Sequence, residues 1–269
     1  MTKGKKDFMT VGQIDSTGVR GPHEKELNDI SNAKYHLFEN ISEDNLKSIV
    51  YDDIGGKLED IGFNEDWTIT KEFFPEAEIH MSYFYYGDEF GDIEGEFKFL
   101  FSGDHISWIP GEDSATYIDI LMDFMERRIK GKEPFEKDYD SKTELMEKVL
   151  EQRVEPFSLL KKEDVEPLED FMGADVQKQG EEWTFSKEVF PKIFIKLTYL
   201  KKEGLDIGYH GENLEKMGSY HIELVGIFVL NHILRYITIH NQEKDLPQIC
   251  YQMFSRYYTK LKDWPHRSD

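Results

Sequence analysis

Four groups of residues have the types and spacing to do chemistry. His232, Tyr236 and His240 recur at i, i+4 and i+8 with Asn231 and Arg235 beside them, so one face of a helix would carry two imidazoles and a phenol. Such a face can line a polar ligand pocket, or it can hold core and boundary histidines whose hydrogen bonds are satisfied internally. A metal prefers His at i and i+4, and that spacing is absent. The acidic run from Gly87 to Glu96, with Asp104, Glu112 and Asp113 further on, sets carboxylates among glycines. That composition suits a hard cation such as calcium, but it lacks EF-hand spacing, and a solvated loop is the plainer account. Cys250 is the sole thiol. A nucleophile would need a base within hydrogen-bond reach, whereas the spacing of Ile249, Met253 and Tyr257 around it suits a small buried hydrophobe.

The fourth group is a motif that occurs twice. Residues Trp67 to Tyr83 align without gaps on Trp183 to Tyr199, and eight positions are identical: Trp67/Trp183, Thr68/Thr184, Lys71/Lys187, Glu72/Glu188, Phe74/Phe190, Pro75/Pro191, Ile79/Ile195 and Tyr83/Tyr199. Upstream, Leu58-Glu-Asp-Ile-Gly62 echoes Leu168-Glu-Asp-Phe-Met-Gly173. Chance convergence of two hairpins would hardly keep Trp, Lys-Glu and Phe-Pro in one register, so the chain reads as a duplication. In this reading Trp and Phe pack each half while Lys and Glu lie on the exposed strand face. Alternatively, Trp67 and Trp183 form equivalent aromatic sites that grip an extended partner.

The elements that must position these residues follow from periodicity. Copy 1 spans residues 42–131 and copy 2 residues 158–241, each a helix, an antiparallel sheet and a covering helix. A helix is expected from about Glu43 to Asp60, ending near Gly62. Ile79, Met81, Tyr83 and Tyr85 then share one strand face, and Phe97, Phe99 and Phe101 alternate with Glu96, Lys98 and Leu100. Leu121, Met122, Met125 and Ile129 supply the covering helix, closed by Arg127, Arg128, Lys130 and Gly131. In copy 2 the counterpart is apolar almost all round, from Ile227 to Ile239, which marks a helix buried between layers. Residues 132–157 read as a charged linker with a short helix, residues 245–262 as a C-terminal helix, and residues 1–30 as an aperiodic mobile segment. The fold class is α+β.

Phe74-Pro75, Gly87-Asp88-Glu89-Phe90, Phe99-Leu100-Phe101 and Pro110-Gly-Glu-Asp113 ahead of a helix resemble the C-terminal portion of an uncharacterised family of small proteins from anaerobic bacteria and archaea. The resemblance covers about residues 70 to 128. It departs at Ser102, where that family usually has Asp, and only the Phe-Pro part recurs in copy 2. The family has no established activity, so the resemblance assigns no functional residue.

Composition narrows the function. Among 269 residues, 33 Lys and Arg face 54 Asp and Glu, a formal charge of −21. Phosphate backbones and anionic headgroups repel such a surface, so neither nucleic acid nor a membrane is expected as a partner. No apolar run is expected to approach the roughly 20 residues that span a bilayer, and the start lacks a secretory h-region, which points to the cytoplasm. One cysteine excludes an internal disulfide framework. Aromatics at 14% imply real cores. The expectation is a non-catalytic binding protein whose partner is a protein, a basic one by charge complementarity, with no cofactor and no metal. The alternatives are an enzyme with its site between the copies, or an immunity or decoy protein against a basic partner.

Overall fold

Period-two alternation builds a four-stranded antiparallel sheet in each half of the chain. The computed structural model describes residues 6–14, 21–87 and 94–253, and the chain divides into two units, Met1–Glu133 and Pro134–Asp269. Unit 1 contains α1 (Val11–Ile14), α2 (Gly21–Lys34), α3 (Glu43–Ser48) continued by a π turn at Ile49–Asp53, the strands β1 (Lys57–Glu59), β2 (Trp67–Phe74), β3 (Ala77–Tyr85) and β4 (Gly95–Ser102), and α4 (Gly111–Lys130). Unit 2 contains α5 (Glu144–Arg153), α6 (Val165–Met172), β5 (Asp175–Gln179), β6 (Glu182–Phe190), β7 (Ile193–Leu200), β8 (Gly204–His210), α7 (Ser219–His240) and α8 (Gln248–Met253). Both sheets are meanders in sequential order, and the fold is α+β.

The two sheets agree in register as well as order. Trp67 pairs with Tyr83 and Trp183 with Tyr199, and each second strand has an irregularity at the same place, Glu72/Phe74 and Glu188/Phe190. The turn after Pro75 holds Glu76 at φ 60°, and the turn after Pro191 holds Lys192 at φ 61°. Gly103 and Gly211 sit against these turns at φ 108° and 133°. A Cβ on either would come within 2.0 Å of the carbonyl oxygen of Glu76 or Lys192, so both positions exclude any side chain. The correspondence reaches upstream of residues 42 and 158. Phe38 packs on Trp67, Tyr83 and Phe97 in unit 1, while Phe157 packs on Phe185 and Tyr199 in unit 2.

The same strand face carries an unexpected cation. Trp67, Ile69 and Lys71 have one parity along β2, and Trp183, Phe185 and Lys187 have it along β6, so each lysine points into the apolar layer. Lys71 and Lys187 are buried, which corrects the expectation that they lie on the exposed face. Each is aimed at the end of the preceding helix. Lys187 Nζ donates to the carbonyls of Met172 (2.7 Å) and Gly173 (3.3 Å), the last residue and C-cap of α6. Lys71 Nζ reaches the carbonyl of Gly55 at 3.5 Å, just past the π turn. A cation at a helix C-terminus satisfies carbonyls that have no helical partner and opposes the dipole.

Several expectations change. Residues 6–14 and 21–30 are not a mobile tail, because α1 and α2 bury Val11, Ile14, Leu27 and Ile30, and Met9 bridges to Phe101 on the β4 edge. Four residues of α1 are too few to show a period. The helix expected to Asp60 ends at Asp53, since Gly55 and Gly56 break it and residues 57–59 become β1. Consequently Leu58 lies in a strand and Leu168 in a helix, so their echo joins unlike elements. The short helix expected within the linker is α5, and residues 144–157 belong to unit 2. Thr143 caps α5, which buries Met146, Val149 and Leu150, and Phe157 enters the unit 2 core. Of the expected helix over 245–262, Gln248–Met253 is present and Tyr257 and Leu261 lie outside the described residues. Among the described residues one run is long and apolar enough to cross a membrane after all: α7, of 22 residues, with 89% of its apolar stretch buried inside the protein.

Replacing the Lys187 ammonium while keeping its stem tests the helix-end contact. Lys187→Met should destabilise unit 2 by about 2 kcal/mol, because two carbonyls lose a charged donor. Urea denaturation followed by the fluorescence of Trp183 measures this, and an unchanged midpoint would refute the role.

Candidate functional site

The histidine face of α7 is closed from within at His232, Arg235 and Tyr236, while His240 at its end is exposed. The His232 ring stacks on Phe171 of α6 (centroids 4.4 Å apart, 16° between planes), and its Nε2 lies 3.3 Å from the Phe171 carbonyl. The Arg235 guanidinium sits 5.5 Å from the same ring, and Tyr236 meets it edge-on at 5.5 Å. Burial pushes the Arg235 guanidinium well below its ordinary value. Tyr236 donates to Asp164 Oδ1 at 3.2 Å, and His240 packs on the Tyr236 ring at 4.2 Å. Phe171 thus occupies the space that His232, Arg235 and Tyr236 surround. Trp67 stacks on Tyr83 (4.8 Å) and packs with Phe38 (5.6 Å), whereas Trp183 stacks on Phe185 (6.0 Å) beneath the Lys178 ammonium (5.3 Å). Each tryptophan is a packing residue of its own unit. Asp88 to Ile93 of the acidic run lie outside the described residues, and among the described residues no three His, Cys, Asp or Glu are grouped to hold a metal ion.

A polar chain that the residue pattern did not reveal crosses the other face of the first sheet. His80 on β3 is fully buried, with Nδ1 2.8 Å from Thr70 Oγ1 and Nε2 2.8 Å from Ser102 Oγ. Thr70 reaches Glu59 at 2.9 Å and Ser102 reaches Glu78 at 3.2 Å, so a carboxylate stands at each end. Lys6 and Lys57 each pair with both Glu59 and Glu78, and the Phe8 ring abuts the imidazole at 5.0 Å. Two hydroxyls and a neutral imidazole bring three hydrogens to these four contacts. The imidazolium would supply a fourth and is favoured by Glu78 and Glu59, but burial, reinforced by Lys6, outweighs them and pushes His80 down to about 4. Burial also pushes the Glu78 carboxyl up, but Lys6 and Lys57 overcome it and hold the group at about 2. Ser102 is enclosed and faces a carboxylate, a poor setting for developing negative charge on an acyl oxygen. In unit 2 the counterpart of His80 is the exposed Lys196.

Unit 1 has a cleft of about 430 Å³ where the 3-10 turn Tyr35–Leu37, the helix over 43–53 and the end of α4 meet. His36, Asn40, Asn45, Ser48, Asp53 and Arg128 supply its polar walls, and Ile49 and Ile129 its apolar part. Asp53 is buried and accepts from Arg128 Nε at 2.8 Å. The π turn that carries Asp53 is the type of irregularity often kept at binding sites.

Unit 2 exposes apolar surface at one junction. Phe135 is 100% exposed and Tyr220 47%. Their chain neighbours are tied, because Ser219 N donates to the carbonyl of Glu136 at 3.0 Å. Glu133, Glu136, Asp138 and Asp140 belong to the same stretch, interspersed with Lys132, Lys137 and Lys142. Tyr139 anchors it through its hydroxyl, which donates to the carbonyls of Leu214 (3.2 Å) and Met217 (2.8 Å).

Two measurements probe these sites. The His80 value lies below that of the unfolded chain, so the unfolded state binds more protons between about pH 6.5 and 4, and stability falls as pH falls through that window. The loss should be about 3 kcal/mol, and His80→Gln should flatten it in urea titrations across pH. Cys250 is buried, and burial pushes its thiol up to about 11. It should resist thiol reagents at neutral pH until urea unfolds the chain, and prompt reaction of the folded protein would contradict its placement.

Compared with protein-family models, with curated proteins and with solved structures, the chain matches none.

Proposed function

We propose that the chain is a non-catalytic intracellular binding protein, and that its partner is a basic protein which docks at the Phe135 junction. The observation that carries this reading is the full exposure of Phe135. A lone exposed apolar residue is ordinary in a folded protein. Here the phenylalanine is joined by half-exposed Tyr220 on a hydrogen-bonded neighbouring segment, and four carboxylates accompany them. An exposed aromatic anchor with a charged rim, here four carboxylates interspersed with Lys132, Lys137 and Lys142, is the usual anatomy of an interface centre and rim. The charge of −21 favours a basic partner and repels anionic polymers.

Phe135→Ser should weaken partner retention about tenfold to a hundredfold without lowering the melting temperature, since the side chain contributes nothing to the core. The comparison is a pull-down from the native host with wild-type and variant bait, followed by affinity measurement on the purified partner. Retention should also fall as salt rises, because rim charges are screened. A partner held equally well by both baits, at low and at high salt, would refute the proposal.

A further inference from the structure

The cleft of unit 1 has a built centre that the protein-docking proposal does not use. Asp53 is buried, and its Oδ2 takes the Nε hydrogen of Arg128 at 2.8 Å. That contact fixes the plane of the guanidinium, while 41% of the Arg128 side chain remains accessible. Among the described residues Arg128 has no other polar side-chain partner, so the four Nη hydrogens are presented in a fixed plane at the cleft. The side chains of His36, Asn40 and Asn45 line the same cleft and likewise make no hydrogen bond among the described residues. Ser48 is engaged, through its hydroxyl to Asp52 at 3.2 Å.

We propose that this cleft binds a small organic carboxylate, held bidentately by the Nη groups of Arg128 and flanked by the amides of Asn40 and Asn45. The donors match a planar two-oxygen acceptor, for which an oriented guanidinium is the complementary fork. A cation would meet the guanidinium, and no group of three metal-ligating side chains stands among the described residues. A phosphate dianion would depend on one guanidinium whose charge Asp53 already balances, in a chain carrying −21. A volume of about 430 Å³ suits a metabolite of modest size. Because the polar walls exceed a single arginine, the rest of the ligand should carry hydroxyl or carbonyl groups for Asn40, Asn45 and His36.

The test uses the full chain labelled with nitrogen-15. Sodium succinate is titrated at constant ionic strength, with succinamide and inorganic phosphate as separate titrations, and the side-chain signals of Arg128 Nε, Asn40 and Asn45 are followed. Succinate should move all three saturably, succinamide should not, and phosphate should bind more weakly. Arg128→Lys keeps a charge for Asp53 but loses the fork, and it should weaken succinate about tenfold. The double variant Asn40→Ala/Asn45→Ala leaves the Asp53–Arg128 pair intact and should weaken binding several-fold, which keeps the test valid if the lysine variant folds poorly. Absence of saturable shifts, equal binding of succinamide, tighter binding of phosphate, or unchanged affinity in both variants would each overturn the proposal. Loss of Phe135 should leave succinate binding unchanged.

Discussion

In each half of the chain a lysine on the apolar face of the second strand ties the sheet to the end of the helix before it. Burying an ammonium costs free energy unless donors are used, and the only strong acceptors inside an apolar layer are carbonyls released where a helix stops. The contact therefore constrains three things together. The helix must end at a fixed point, marked by Gly55 in one unit and Gly173 in the other, both in the left-handed region. The strand must present Lys71 or Lys187 inward, which sets the parity of Trp67 and Trp183. The following turn must then bring back the third strand with Trp67 opposite Tyr83 and Trp183 opposite Tyr199. The aromatic layers around Phe38 and Phe157 fill the space that this frame encloses.

Outside that frame the halves have diverged. The polar face of the first sheet is enclosed, with His80 buried and Phe8 against it, whereas the matching face of the second sheet is lined by the half-exposed Thr184 and Thr198 and the exposed Lys196. The edge of the first sheet receives Met9, which exchanges both backbone hydrogen bonds with Phe101 (2.8 and 2.9 Å). The corresponding residue of the second sheet, by register, is Tyr209. One unit has closed a sheet surface that the other presents, and the covering helix differs as well, amphipathic in α4 and nearly all-apolar in α7.

Much of the frame was legible in the sequence because it rests on short-range periodicity. The alternation from Ile79 to Tyr85 and the repeated Trp-Thr-x-Ser/Thr-Lys-Glu-x-Phe-Pro place the strands and their equivalence directly. Parity along β2 and β6 also places Lys71 and Lys187 inside; the habit of assigning lysine to solvent concealed it. Other features depend on pairings distant in sequence. Asp53 and Arg128 are 75 residues apart, and no local spacing joins them. The His80 chain draws on four strands and the N-terminal segment, so its members look like isolated polar residues until the sheet is assembled. The face of His232 and Tyr236 was visible, but the ring that fills it, Phe171, comes from another helix.

The shortage of hydrogens along the His80 chain has a consequence for how that sheet behaves in time. Three hydrogens among four contacts can be arranged in more than one way, and the arrangements differ in which ring nitrogen is protonated. With the proton on Nδ1, Thr70 is released to serve Glu59 and the bare contact falls on the Ser102 side. With it on Nε2, Ser102 serves Glu78 and the bare contact moves to the Thr70 side. The heavy atoms need not move for these exchanges. The first sheet therefore holds a line of protons with more than one arrangement, in which the tautomer of His80 decides whether the bare contact lies toward Glu59 on the outer strand or toward Glu78 two strands away.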